Sequence, residues 1–483
     1  MPTAEPPPAN RWPILLALLG GTLLRAYHFF RCPSVWHDEA ATIVNVLDLT
    51  YREMFGKLRH NEAAPPLFLV AERAAVDFSG DSVWILRLLP FLSSLAALIL
   101  VAAVARRLLS VHGSVVAVLL MGVSNSLLLH CCEAKAYSGD SLVAVLAAYG
   151  FIETRHWTLF ARSFLFAGLA PLAIGFSYPG CFVYGGVLVS LAPSFLRPHS
   201  LRDRLGYLAC IASVFTSFTF LVLGPARIQR TPEMNACWGG AFADWSQPVG
   251  VPLWVVEQTL EVLRYAFQPA GQVMVLLAAL GIIGWLRSAN TREQALLLGV
   301  PILLALAAAM MGQYPYTCAR VMAYSVPALC LLTAEGGERF IAWFPRWKWS
   351  ARVWVWVLVL IPTGLTLYRV AVPWPRAACD EASELVLRDR REDEPVYANH
   401  WEYEYYFRRL SPNLLRVDDG RAIGPSWDEW SRSMTRKSQP RIWVVFTSAT
   451  PKDGFVFSLP VGYRVGQTQQ FSMTRVFRLE TTE

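Results

Sequence analysis

Charge is what this sequence is short of. Only 16% of its 483 residues are Asp, Glu, Lys or Arg, against about 25% in an ordinary soluble domain. That shortfall sets the chain apart from an ordinary soluble globular protein. The 43 basic and 36 acidic residues leave a net charge of +7, a modest excess read as basic loops beside a membrane rather than a nucleic-acid surface. Metal-type cysteine spacing is also missing. The nine cysteines form no CxxC pair, and an odd number excludes complete intramolecular pairing. Cys131, Cys132, Cys237 and Cys318 fall near expected external loops, which leaves one or two disulfides open and their pairing undetermined. No internal repeat, heptad run or low-complexity tract is present. The first apolar run lacks a small-x-small cleavage site before "RAYHFFRCPSVW", so it reads as a retained helix, not a signal peptide.

What is there is hydrophobic, 54% of the chain, and it is gathered into runs such as "LRLLPFLSSLAALILVAAVA" and "WVWVLVLIPTGLTL". Such runs approach or reach the roughly 20 residues that cross a bilayer. Spans are expected near 12–30, 85–105, 113–130, 138–153, 161–176, 179–196, 205–224, 268–286, 294–311, 321–342 and 351–371, about eleven in all. Under this count "ARRLLSVHG", "ETRHWTLFAR", "FLRPHSLRDR", "LRSANTRE" and "FPRWKWSAR" share one side. The positive-inside rule makes that side, and the N-terminus, cytoplasmic. The other side receives the first outer loop, 31–84, the 225–267 loop and the tail. The fold class expected is therefore a polytopic α-helical membrane protein with a small C-terminal α/β extracytoplasmic domain. Its parts are a membrane domain over 1–372 and the tail domain over 373–483. In the tail, "EPVYANH", "RIWVVFTSA" and "FSMTRVFRL" read as strands, while "DEASELVLRDR" and "WEYEYYFRRL" read as helices.

Four charged clusters interrupt the apolar pattern. "PSVWHDEAATI" sets His37, Asp38 and Glu39 just after the first span. Taken alone, it is equally what a solvated exit from the membrane looks like. "RHNEAAPPLFLV" adds His60 and Glu62 before two prolines that re-aim the chain. "LLHCCEAKAYSGD" squeezes Glu133, Lys135, Tyr137 and Asp140 between two spans. There an ionisable group costs about 2.5–3.5 kcal/mol on insertion scales and by default suggests a function. The bland alternative is a structural Glu133–Lys135 pair. "MGQYPYTCARVMAYSVP" places Tyr314, Tyr316 and Arg320 at the outer start of a span. Arg320 is either a snorkelling interfacial residue or a cation suited to a phosphate.

These segments resemble the GT-C glycosyltransferases of the family 39 type, which include protein O-mannosyltransferases and the bacterial aminoarabinose transferases of lipid A. The resemblance lies in "VWHDEA" (35–40), "NEAAPPLFLV" (61–70), "RLLPFLSSLAAL" (87–98), "EAKAYS" (133–138) and "YPYTCARVMAYSVP" (314–327). The start of the tail, "EDEPVYANH", echoes the family as well. This chain departs in having Ala63 and Ala64 before the prolines, Glu133 where relatives often have Asp, and His37 before the acidic pair.

The resemblance implies an enzyme of the inner (plasma) membrane. Its donor is a polyprenyl-phosphate sugar, its acceptor a lipid, glycan or protein, and its chemistry a single inverting displacement. Residue by residue, it implies Asp38 as general base, with Glu39 orienting it. Glu133, Lys135, Tyr137, Tyr314 and Arg320 fall on the side of the donor phosphate and sugar, and His37, His60 and Glu62 on the acceptor or loop side. No cofactor is required by this reading, and a divalent metal stays open, since His37, His60 and Glu62 are scattered ligands without regular spacing. The alternative from another class is a transporter or flippase of lipid-linked or small polar substrates. That reading expects functional charge at mid-span, whereas the charge here gathers at span ends.

Overall fold

The computed structural model describes residues 11–196, 200–410, 415–417, 439–447 and 459–482. Among them, six helices are long and apolar enough to cross a membrane: Trp12–Arg31, Val83–Leu108, Leu159–Phe176, Leu201–Gln229, Arg292–Met310 and Lys348–Ala371. A seventh is counted if Pro248–Phe267 and Gly271–Arg287, bent by 101° at their junction, form one broken span. The apolar helices Val111–Gly122 and Gly180–Phe195 are shorter. The six or seven long helices do not confirm the eleven spans expected, and two boundaries differ from the sequence reading as well. The expected 113–130 span is broken at Ser124, giving helices Val111–Gly122 and Asn125–His130. The 225–267 segment, expected as an outer loop, carries the helix Val251–Phe267.

Helix ends follow the local chemistry. Ser82, Thr158 and Ser200 cap their helices by accepting a hydrogen bond from the amide three residues on, which satisfies one otherwise orphaned donor. Pro66 occupies the first turn of Pro66–Ser79, where a missing N–H costs nothing.

The chain forms two compact units. The first contains the helix Trp12–Arg31, residues Tyr51–Lys57 and Ala63–Pro373. Lipid-solvated helices gain little from burying apolar surface, so close approach through small residues matters. A Cβ at Gly336 would lie 1.7 Å from the Leu277 carbonyl oxygen, so only glycine lets Val326–Trp343 seat against Gly271–Arg287. Arg25 is fully buried in this unit. Its guanidinium donates to Ser94 Oγ at 2.8 Å and to the carbonyls of Gly21, Gly122 and Met121 at 3.1, 3.2 and 3.0 Å. It is a clamp between helices.

Within this unit the basic loops gather at one end. Arg107 pairs with Glu153 at 2.8 Å. The Phe160 amide donates to Asp203 at 2.9 Å, and Ser194 donates to Glu293 at 3.4 Å. The Gly113 amide donates to Glu338 at 2.9 Å. At the opposite end, Tyr178 donates to the Ala64 carbonyl at 2.9 Å, and Arg230 donates to Gln313 at 2.8 Å.

The second unit contains Cys32–Thr50, Leu58–Glu62 and the chain from Trp374 on. Its sheet comprises β1 (Val396–Ala398), β2 (Leu415–Val417), β3 (Arg441–Thr447), β4 (Tyr463–Phe471) and β5 (Thr474–Thr481), in the order β2-β1-β3-β5-β4. The β1 strand is parallel to β2 and β3, while β5 is antiparallel to β3 and β4. Alternate residues of β3 face opposite sides. Trp443 and Val445 pack on one face with Leu385, Val386, Tyr403 and Phe407. Ile442, Val444 and Phe446 pack on the other with Phe477 and Leu479. Helices Cys379–Asp389 and Glu402–Tyr406 are those read from "DEASELVLRDR" and "WEYEYYFRRL".

Candidate functional site

The sequence-derived residues fall into two groups, one in each unit. In the second unit, "WHDEA" starts the helix His37–Asp48, with Asp38 and Glu39 in its first turn. There the aligned peptide dipoles favour negative charge. Glu39 is fully buried, Asp38 half-buried and His37 exposed. Glu62 is buried and accepts a hydrogen bond from Thr42, one turn further along that helix, at 2.9 Å. Asn45 completes the tie between the two segments, accepting from the Arg59 amide at 2.8 Å.

The tail segment 400–406 grips this motif. The Trp401 indole donates to the His37 carbonyl and stacks on His60 at 5.0 Å between ring centroids. His60 Nε2 lies 3.2 Å from Glu404, with its backbone held in the left-handed region at φ 57°. The Tyr406 hydroxyl accepts from the Val35 amide at 2.8 Å and sits 3.2 Å from the Ser34 hydroxyl. Behind these contacts, His400 Nδ1 and Glu402 Oε2 are buried 3.8 Å apart, with no hydrogen bond to either atom among the described residues. Burial pushes the Glu402 carboxyl up to about 8. Burial, with the nearby His37, pushes the His400 imidazole down to about 4. Both groups are therefore neutral near pH 7.

In the first unit, "LLHCCEAKAY" forms a tight bend between the helices Asn125–His130 and Tyr137–Glu153. Glu133 is fully buried and Lys135 nearly so. His130 Nδ1 lies 2.8 Å from Glu133 Oε2. The His130 ring packs against Tyr137 at 4.9 Å and Tyr265 at 6.3 Å. The Ser141 hydroxyl donates to the Ala323 carbonyl at 2.8 Å, which ties this bend to the segment that starts at Arg320. The Arg320 guanidinium lies over Tyr137 at 5.8 Å and over Trp238 at 6.0 Å. The Tyr314 hydroxyl donates to the Val321 carbonyl at 2.7 Å and so shapes the same segment. Asp140 accepts from Ser177 at 2.7 Å.

The first unit thus brings Glu133, Tyr137, Tyr314 and Arg320 onto neighbouring elements, with Lys135 in the same bend. The second unit brings together His37, Asp38, Glu39, His60 and Glu62. Sequence reasoning missed His130, although its three-residue spacing from Glu133 was readable. It also missed Tyr265, Trp401 and Tyr406, whose partners lie far away in the chain, and Glu402, whose neighbour His400 is only two residues off. Among the described residues, no group of three or more His, Cys, Asp or Glu is arranged to hold a metal ion. Chemically, the first group offers two cations and aromatic walls in a desolvated setting. The second offers a half-buried carboxylate on a rigid helix start.

No protein-family model matches the chain, and no curated protein matches it by sequence. Solved structures do match. ArnT from Cupriavidus metallidurans bound to undecaprenyl phosphate superposes with a TM-score of 0.55 at 14% identity, over 98% of this chain and 98% of that one. The apo form of the same protein gives 0.54 at 13% identity, over 96% and 97%. The Archaeoglobus fulgidus oligosaccharyltransferase tethered to an acceptor peptide gives 0.52 at 10% identity, over 91% of this chain and 69% of that one. The fold of this chain is similar to that of ArnT and of the oligosaccharyltransferase, both of them GT-C glycosyltransferases.

Proposed function

We propose that this protein is an integral membrane glycosyltransferase that moves a sugar from a polyprenyl phosphate to an acceptor on the extracytoplasmic face. The observation that carries this reading is the end-to-end likeness to ArnT in a complex with undecaprenyl phosphate. The acceptor hydroxyl or amine attacks the anomeric carbon opposite the phosphate. The new bond forms as the bond from carbon to phosphate oxygen breaks, and the anomeric configuration inverts. Asp38 takes the acceptor's proton, a contribution of about 10²–10⁴-fold. The lipid phosphate leaves with the bonding electron pair. Lys135 and Arg320 hold the charge that develops on it, where fixed cations in a dry site act most strongly.

Glu39 orients Asp38 or the acceptor. Glu133, held by His130, positions Lys135 or the sugar. Tyr137 and Tyr314 line the donor side, and His37, His60 and Glu62 the acceptor side. In this reading the protein sits in the plasma membrane, its N-terminus cytoplasmic and its C-terminal domain outside.

The test is a panel of radiolabelled polyprenyl-phosphate sugars offered to the purified full chain with lipid, glycan and peptide acceptors, Asp38→Asn serving as control. Label should pass to an acceptor with the wild type only. Equal transfer by the variant removes Asp38 from the chemistry, and no transfer from any donor removes the enzyme reading.

A further inference from the structure

The end of the helical unit that carries the basic loops has a feature the proposed reaction does not use. Helices Val111–Gly122 and Lys348–Ala371 run side by side in the same direction. The His112 ring meets Trp356 edge-on at 5.7 Å near their starts, and the Thr366 hydroxyl donates to the Val123 carbonyl at 2.6 Å near the far end. Between their starts lies an open groove of about 350 Å³.

The groove is polar at its head and apolar along its shaft. At the head, the Arg352 guanidinium lies over Trp349 at 5.5 Å and makes no ion pair or hydrogen bond among the described residues. Beside it, His112 Nε2 is buried and likewise has no hydrogen-bond partner among the described residues. The neighbouring acid, Glu338, is already engaged by the Gly113 amide at 2.9 Å and by the Ser110 hydroxyl. Lys348, the first residue of the helix, adds exposed positive charge. The shaft is walled by Val353, Trp356, Val357 and Leu360. It runs about 12 Å from Arg352 to Leu360 at the rise of an α-helix.

We propose that this groove is a binding site for an anionic phospholipid of the leaflet on the basic-loop side, its head group on Arg352 and one acyl chain along Val353–Leu360. Charge complementarity selects the occupant: at the head, an arginine with no ion pair among the described residues and Lys348 beside it, with the neighbouring Glu338 turned to the Gly113 amide. Basic pockets between transmembrane helices favour anionic head groups. A soluble anion would satisfy the head and leave the apolar shaft uncovered.

The full chain in detergent is incubated with equal amounts of phosphatidylglycerol and phosphatidylcholine of identical acyl chains, and bound lipid is counted by native mass spectrometry. The wild type should retain one phosphatidylglycerol with about a fivefold preference, the scale set by roughly 1 kcal/mol per cation near an anionic surface. Arg352→Gln should lose that preference. Arg346→Gln, the same charge change outside the groove, should keep it. Equal retention of the two lipids by the wild type overturns the proposal, as does an Arg346→Gln loss as large as that of Arg352→Gln. Should Arg352→Gln not fold, the wild-type competition decides alone.

Discussion

The acidic motif and the "EAKAY" bend carry charge in opposite ways. Asp38 and Glu39 stand in the first turn of a helix, and the contacts that hold the motif come from a charged, aromatic tail segment: the Trp401 indole on the His37 carbonyl, Tyr406 on Val35, and Glu404 on His60. Asp38 stays half-exposed. Glu133 and Lys135 are instead enclosed among membrane helices, with His130 against Glu133 and Arg320 between two aromatic rings. A base must exchange a proton with an arriving acceptor, so partial exposure suits it. A cation that stabilises developing charge gains from a dry surround.

The sharpest way to break this contrast is Asp38→Asn. Transfer should fall at least about 10²–10⁴-fold while membrane insertion and yield stay unchanged. Wild-type turnover in that variant would show that the exposed carboxylate is not the base. Next in size, Lys135→Ala should cost about 10²–10³-fold, the scale of losing one preorganised electrostatic donor. The loss should appear when the donor is varied more than when the acceptor is varied. The reverse pattern moves Lys135 off the phosphate.

A smaller effect is expected at the tail's grip on the motif. Tyr406→Phe removes the acceptor of the Val35 amide, worth about 0.5–1.5 kcal/mol. Amide exchange of residues 33–48 should quicken with donor KM unchanged. Unaltered exchange would mean that the tail does not hold the motif.

The smallest expected effect is a pH dependence. Glu402 binds its proton more tightly in the folded unit, at about 8 against an ordinary 4.5. Its contribution to stability is therefore full below about pH 4.5 and lost as pH rises through 8. His400, lowered from 6.5 to about 4, contributes above about 6.5 and loses that contribution as pH falls through 4. Exchange protection over 379–410 should thus decline between pH 6.5 and 8, and Glu402→Gln should flatten the decline. A wild-type profile that is flat over that window contradicts the buried, protonated Glu402.

How much of this was readable beforehand depends on distance along the chain. Apolar runs are local signals, and so are the β-branched residues of β3 and β5. The break at Ser124 was hidden because the residues on both sides are apolar. The β4 strand was missed because it lies at the sheet edge with most of its side chains exposed, so it lacks an apolar alternation. The four charged clusters stood out because ionisable residues are expensive beside a bilayer. Their partners did not. Trp401 reaches His60 and Tyr265 reaches His130 across long stretches of chain, and no local pattern encodes such pairs.

The central claim, bond exchange at a lipid phosphate, is met most directly by following one doubly labelled polyprenyl-phosphate sugar with the full chain in proteoliposomes. The account predicts that the sugar label appears on the acceptor with the opposite anomeric configuration while the lipid label is recovered as free polyprenyl phosphate. Recovery of both labels on one intact molecule, moved to the other leaflet, would contradict it and leave transport as the activity.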